Sequence, residues 1–251
     1  MNINLQLIPN KENLKINSIK KKGNENYILP FIPIPPLESH NFFMYIVGRP
    51  ASGKTHLLYS FLHQKEPKFY RGLFDKVYLF SSSSETLNDW KIHNNRIFNK
   101  LDFEKLDEIL KEEHSSTDNN NILIVLDDCI KDLQGNKSRE ISKLLSKMIL
   151  NRRHITYNKN NTDKRGSLSV IITSQKYNML PLEYRTMATT TILFKTDNQT
   201  EKSAIYDELF QSRFTKKQYS EIDNFIYDKP HQFLLINDNG IYKNFDKILL
   251  N

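Results

Sequence analysis

The chain has 251 residues, 38% of them hydrophobic, and carries a formal charge of +7. That length allows one substantial domain with its own core but makes a second full domain unexpected. Apolar runs no longer than "FFMYIV" and "ILIVL" exclude a spanning helix, which needs about 20 apolar residues, and a single cysteine, Cys129, excludes an internal disulfide and a thiol zinc site.

Residues 1–40 are polar and basic, then proline-rich at "LPFIPIPPLESH". They lack the basic flank, apolar block and cleavage site of a secretory signal, so the chain is expected inside the cell. The prolines restrict their neighbours to extended backbone, which predicts an arm or edge element. From Asn41 strand-like and helix-like segments alternate, the pattern of a mostly parallel sheet with helices on its faces. Strands are predicted at 42–47, 76–81, 121–126, 168–173 and 190–195, with helices near 54–64, 102–114, 138–153 and 181–187. This defines an α/β core over 41–196. Residues 197–251 add helices near 200–211 and 215–227, then a hairpin turning at Asn239-Gly240.

The first chemical motif follows the first core strand. Gly48, Arg49, Pro50, Ala51, Ser52, Gly53, Lys54 and Thr55 spell "GRPASGKT", which fits G-x-x-x-x-G-K-[ST] between a strand and an amphipathic helix. Glycines let backbone amides curl around phosphate oxygens, and the helix N-terminus adds its own unpaired donors. Lys54 is expected at the β- and γ-phosphates, and Thr55 at Mg²⁺. A phosphate cradle needs a second metal holder, and "NILIVLDD" supplies two carboxylates at the end of a buried strand. Asp127 is the expected Mg²⁺ partner. Asp128 stands where an acid would orient or deprotonate an attacking water. A third strand, "LSVIITSQ", ends in Thr173, Ser174 and Gln175, and Gln175 is a candidate γ-phosphate sensor if that strand lies beside the second.

The positive charge is concentrated: Cys129 to Arg165 holds ten Lys and Arg against three acids. On a helix over 138–153, Ile141, Leu144, Leu145, Met148 and Ile149 form one apolar stripe, with Arg139, Lys143 and Lys147 on the opposite face. The loop "TYNKNNTDKRGS" adds Tyr157, Lys159, Lys164 and Arg165, a composition suited to phosphodiester backbone without base readout. Arg152 turns back toward the apolar stripe. It is either paired with an internal carboxylate or projected at a neighbouring subunit's nucleotide as an arginine finger, a role for which Arg153 and Arg185 are also candidates. The seven histidines, at 40, 56, 63, 93, 114, 154 and 231, form no tight metal-binding cluster.

In order, "GRPASGKT", "ILIVLDD", "NRRH" and "IITSQKYNMLPLEYR" resemble the genome-packaging ATPases of the FtsK-HerA superfamily, over about residues 40–196. The resemblance implies a P-loop ATPase that binds ATP and Mg²⁺ and assembles as a homo-oligomeric ring. It would drive double-stranded DNA into a viral capsid, with capsid or virion proteins as further partners, in the host cytoplasm or a viral factory. On its pattern Lys54 and Thr55 match the phosphate-loop positions, Asp127 and Asp128 the Walker B pair and Gln175 the sensor glutamine. Asp stands at 128 where members often have Glu, and end-cutting by a nuclease domain is not expected. Two rival readings are a phosphotransferase, which passes phosphate to a small acceptor, and a non-catalytic module in which nucleotide locks an assembly or nucleic-acid-binding state.

Overall fold

In the computed structural model, residues 5–10, 33, 35–82, 90, 92–116, 120–130, 138–152, 155 and 166–250 are described. In chain order the strands are β1 (Leu5–Ile8), β2 (Phe43–Val47), β3 (Lys76–Ser81), β4 (Ile97–Phe98), β5 (Asn121–Asp127), β6 (Ser167–Ser174), β7 (Thr190–Phe194), β8 (Phe233–Asn237), β9 (Gly240–Lys243) and β10 (Asp246–Leu250). The helices are α1 (Lys54–His63), α2 (Phe103–Ser115), α3 (Ser138–Leu150), α4 (Leu182–Arg185), α5 (Gln199–Ile205) and α6 (Lys216–Ile226). Past Ile205 the chain continues as a π-helical stretch, Tyr206–Phe210.

One sheet holds all ten strands, in the order β1-β10-β9-β8-β7-β2-β6-β5-β3-β4. From β7 to β4 every pairing is parallel, and from β7 to β1 every pairing is antiparallel. The C-terminal strands thus extend the same sheet. The central strands are buried along their whole length, as β2, β6 and β7 show, because both faces are covered. Alternation sorts their side chains: Phe43, Tyr45 and Val47 face a core shared with α2, α3, α5 and α6. Phe42, Met44 and Ile46 face a second core built on α1 and on Phe69, Tyr70 and Phe245. In the second core Phe69 and Phe245 lie 5.2 Å apart and Phe233 and Phe245 5.3 Å apart. Such ring pairs add about 0.5–1.5 kcal/mol each beyond their buried area.

The mostly parallel α/β sheet expected from the sequence is what forms, and the five core strands and the C-terminal hairpin lie close to their predicted bounds. The helix expected over 138–153 ends at Leu150. Strands β1, β4 and β10 were not expected. β4 has two residues, too few to show a period, and β1 and β10 acquire their strand character by pairing with each other, Leu5 opposite Leu250 and Ile8 opposite Lys247. No helix of the described residues is long and apolar enough to cross a membrane.

The order places β6 between β2 and β5. The carboxyl ends of β3, β5, β6, β2 and β7 therefore share one edge of the sheet, the edge at which open α/β sheets take ligands.

Candidate nucleotide site

Gly48 leaves β2 at that edge, and its amide donates to the Ser174 carbonyl at the tip of β6 (3.0 Å). Space explains the glycine, because an added Cβ would come within 2.4 Å of Ser52 Oγ and 2.8 Å of Phe194 Cβ. Arg49, Pro50 and Ala51 form the exposed tip of the loop, and Arg49 pairs with Asp197 across solvent at 3.4 Å, a contact of small energetic value. The chain turns through left-handed backbone at Ala51 (φ 62) and Gly53 (φ 111) before α1 begins.

The start of α1 differs from those of α2, α5 and α6. Asp102 and Asn198 cap α2 and α5 with side-chain oxygens, and Thr215 with Gln218 makes a capping box on α6. At α1 the cap is Gly53, with no side-chain bond and no acid in the first turn. Its first amides are left for an anion. Lys54 is buried against this loop, donating from Nζ to the carbonyls of Gly48 and Arg49, the latter at 3.3 Å. Burial pulls its pKa down, opposed by the charges of Asp128 and Asp127. Thr55 is exposed beside it.

The two carboxylates stand on the neighbouring tip and are held differently. Asp127 is the last residue of β5 and is only 3% exposed. Its Oδ1 accepts from the Thr173 hydroxyl on β6 (2.7 Å) and its Oδ2 from the Ser81 hydroxyl on β3 (3.1 Å). Burial raises its pKa most, while Thr173 and Ser81 pull it back and Asp128 pushes it further up. Asp128 follows with φ 51, a left-handed turn that Asp tolerates better than most residues. Its amide donates to Thr173 Oγ1 at 2.9 Å, and its Oδ2 lies 3.8 Å from Lys54 Nζ. Lys54, Asp127 and Asp128 are thus brought together, and Gln175 lies half-buried one residue past Ser174, whose carbonyl holds Gly48.

Two buried polar atoms here, Ser52 Oγ and Asp128 Oδ1, have no hydrogen-bond partner among the described residues. Buried groups of that kind are ordinarily satisfied by a ligand or water: the Ser52 hydroxyl can donate to a phosphate oxygen, and Asp128 Oδ1 can accept from a water. Among the described residues no group of three or more His, Cys, Asp or Glu could hold a metal alone. Mg²⁺ is usually held by one or two carboxylates together with substrate phosphates. Thr55 and Asp127 offer an oxygen set of that type.

Arg152 and Arg185 do not join this cluster. Arg152 donates from Nε to the Asn41 carbonyl and from Nη1 to the Ile149 carbonyl (2.7 Å). Asn41 precedes β2, so Arg152 sits at the amino edge of the sheet, away from its own phosphate loop. Arg185, the other described finger candidate, is bonded within its own chain. It is 9% exposed, forks onto both oxygens of Glu208, donates to the Leu180 carbonyl (2.6 Å) and stacks over Tyr177. Arg153 and the basic loop residues Tyr157, Lys159, Lys164 and Arg165 lie outside the described residues. Arg139, Lys143 and Lys147 are exposed on α3, opposite the buried Ile141, Leu144, Leu145, Met148 and Ile149.

Ser81 and Thr173 were not assigned roles from sequence, yet they hold Asp127 from both sides. The available signal was positional: each directly follows the apolar run of a parallel strand, where a small hydroxyl marks the ligand edge.

No family model matches the sequence, and no curated protein does. Solved structures match the fold. The genome packaging NTPase B204 of Sulfolobus turreted icosahedral virus 2, in complex with sulfate, aligns at TM-score 0.57 and 12% identity, over 83% of this chain and 97% of that one. The chain shares the fold of B204. The B204 complex with AMPPCP aligns at 0.53 and 15%, over 81% and 97% of the two chains. B204 of Sulfolobus turreted icosahedral virus, a DNA-packaging ATPase, aligns at 0.53 and 14%, over 84% and 97%. B204 is therefore spanned almost end to end by this chain.

Proposed function

We propose that the chain is an ATP-driven motor of the FtsK-HerA type that moves double-stranded DNA into a viral capsid. The observation that carries the reading is the meeting of Lys54, Asp127 and Asp128 beside an uncapped α1 at the carboxyl edge. The likeness of the fold to B204 supports it.

In this reading ATP binds with its phosphates in the loop Gly48–Thr55, and Lys54 exchanges the Gly48 and Arg49 carbonyls for phosphate oxygens. Thr55 and Asp127 would hold Mg²⁺, which would supply positive charge against the phosphates. Asp127 is kept in one rotamer by Ser81 and Thr173, so it needs little reorganisation to do so. Asp128 orients the attacking water and accepts its proton, and Gln175 reports the γ-phosphate to β6. Loss of Lys54 from its ion pair frees Asp128 for that task.

The exposed row Arg139, Lys143 and Lys147 contacts phosphodiester backbone without reading sequence. The site is completed in a ring by an arginine from the next subunit. With Arg152 and Arg185 bonded within the chain, Arg153 is the candidate to test first. The motor acts inside the infected cell, docked on capsid proteins.

Two variants separate binding from chemistry. Lys54→Ala is expected to lose both ATP binding and turnover. Asp128→Asn is expected to bind ATP as the unaltered protein does while hydrolysing it at least about 100-fold more slowly, the scale of a positioned general base. Equilibrium titration with a fluorescent ATP analogue and phosphate release measure the two quantities. Hydrolysis undiminished in Asp128→Asn removes that residue from the role.

A further inference from the structure

One side chain reaches the phosphate loop from the opposite end of the sequence. His231 lies in the turn between α6 and β8, and its Nδ1 is 3.1 Å from the Ser52 carbonyl oxygen. A carbonyl only accepts, so Nδ1 carries the hydrogen in this bond. The backbone at His231 is left-handed, φ 61, a conformation that a residue with a Cβ keeps only where its surroundings impose it.

The surroundings do impose it. Buried Lys243 on β9 donates from Nζ to the Phe225 carbonyl (2.8 Å) and to Asp228 Oδ1 (2.7 Å), fixing the start of the turn. Its end is fixed by Asn244, whose Oδ1 accepts from the Phe233 amide (3.1 Å) and whose amide donates to the Phe233 carbonyl (2.8 Å). Phe233 packs on Phe194 at 5.6 Å. Phe194 is in turn the side chain that a Cβ on Gly48 or Gly53 would meet, and a Cβ on Gly53 would also lie 3.7 Å from His231 Nδ1. The turn is built against the loop.

We infer that His231 is a positioning residue of the nucleotide site, which orients the Ser52–Gly53 peptide and ties the phosphate loop to β8–β10. The reason is peptide geometry. In a planar trans peptide the C=O and N–H point in opposite directions. Holding the Ser52 carbonyl outward at His231 therefore holds the Gly53 amide inward, where the loop meets a phosphate. The bond joins an imidazole to a backbone carbonyl, neither of which is a reacting group, so it acts on binding more than on the chemical step. This inference rests on the reading of Gly48–Thr55 as a nucleotide site.

Substitution at His231 tests it in the full-length chain, with titration by a fluorescent ATP analogue and steady-state ATP hydrolysis. His231→Gly removes the donor and relieves the left-handed backbone, so it separates the bond from conformational strain. His231→Asn keeps a donor at the same number of bonds from the backbone and tolerates that backbone. The Gly variant is expected to bind the analogue about fivefold more weakly and to raise KM for ATP by the same factor, with kcat changed less than about twofold, the loss that one hydrogen bond carries. The Asn variant is expected to recover most of that loss. Unchanged affinity in the Gly variant, or an Asn variant as impaired as Gly, overturns the inference. If the unaltered, folded protein binds the analogue and Lys54→Ala does not, the nucleotide-site reading stands whichever way His231 falls. If the unaltered protein binds none, both fail.

Discussion

Asp127 answers two opposing demands. Its carboxylate must be charged to hold a cation, yet burial lifts its pKa above the ordinary 3.8. A carboxyl whose pKa is raised by folding favours the fold below its unfolded pKa. That advantage is lost as pH rises through the folded value, so at pH 7 the charged group costs stability. Asp127→Asn, which keeps an acceptor for Ser81 or Thr173, is therefore expected to melt about 2–4 °C higher at pH 7, the shift that about 1 kcal/mol gives a chain of this size. The gap should narrow as pH falls toward 4, and magnesium-dependent hydrolysis should be lost. Identical melting curves across that range would show that the buried charge carries no cost. Lys54, Thr55, Asp127 and Asp128 could be found in the sequence because phosphate and metal chemistry needs them at fixed local spacings. Ser81 and Thr173 carried only the positional signal of a hydroxyl at a strand end, and His231 carried none. Ser81 meets Asp127 only through the register of β3 against β5, and His231 meets Ser52 across 179 positions.

At the scale of elements, the segment after β6 is organised by one ion pair. Glu208, in the π-helical stretch, accepts from both sides of the Arg185 fork and from the Tyr177 hydroxyl (2.9 Å). Tyr177 follows the strand tip, and its carbonyl accepts from the Tyr45 hydroxyl on β2 (2.9 Å). The pair therefore links the edge of the candidate site to the helices over it. Removing one partner leaves a largely desolvated carboxylate, which costs about 3–5 kcal/mol. Arg185→Ala is accordingly expected to lower the melting temperature by about 10 °C, as read by circular dichroism without nucleotide. An arginine acting on a neighbour's nucleotide would instead lower turnover and leave melting unchanged. The sequence offered Arg185 as a finger because it stands just past a strand tip, and only the position of Glu208 reveals its other use. Long apolar runs made β2, β5 and β6 legible, and the stripe on α3 was equally plain. The two residues of β4 hold no period to read.

Across the whole molecule, a parallel half carries the phosphate loop and both carboxylates, and an antiparallel half continues the sheet behind it. Alternating segments foretold the first half and Asn239-Gly240 the hairpin of the second. The joining of all ten strands into one sheet depends on edge pairings such as β1 with β10 that leave no mark in either strand alone. The basic row on α3 lies in the chain segment with the greatest charge excess, so the proposed polyanion and the proposed catalytic edge belong to the same α/β core. If a ring and DNA complete the machine, its activity cannot belong to a single chain. Phosphate release from ATP with magnesium, followed as protein concentration is raised with and without linear duplex DNA, tests this most directly. The account predicts a rate per chain that climbs with concentration and climbs further with DNA. No magnesium-dependent release at any concentration, with DNA present, would contradict it.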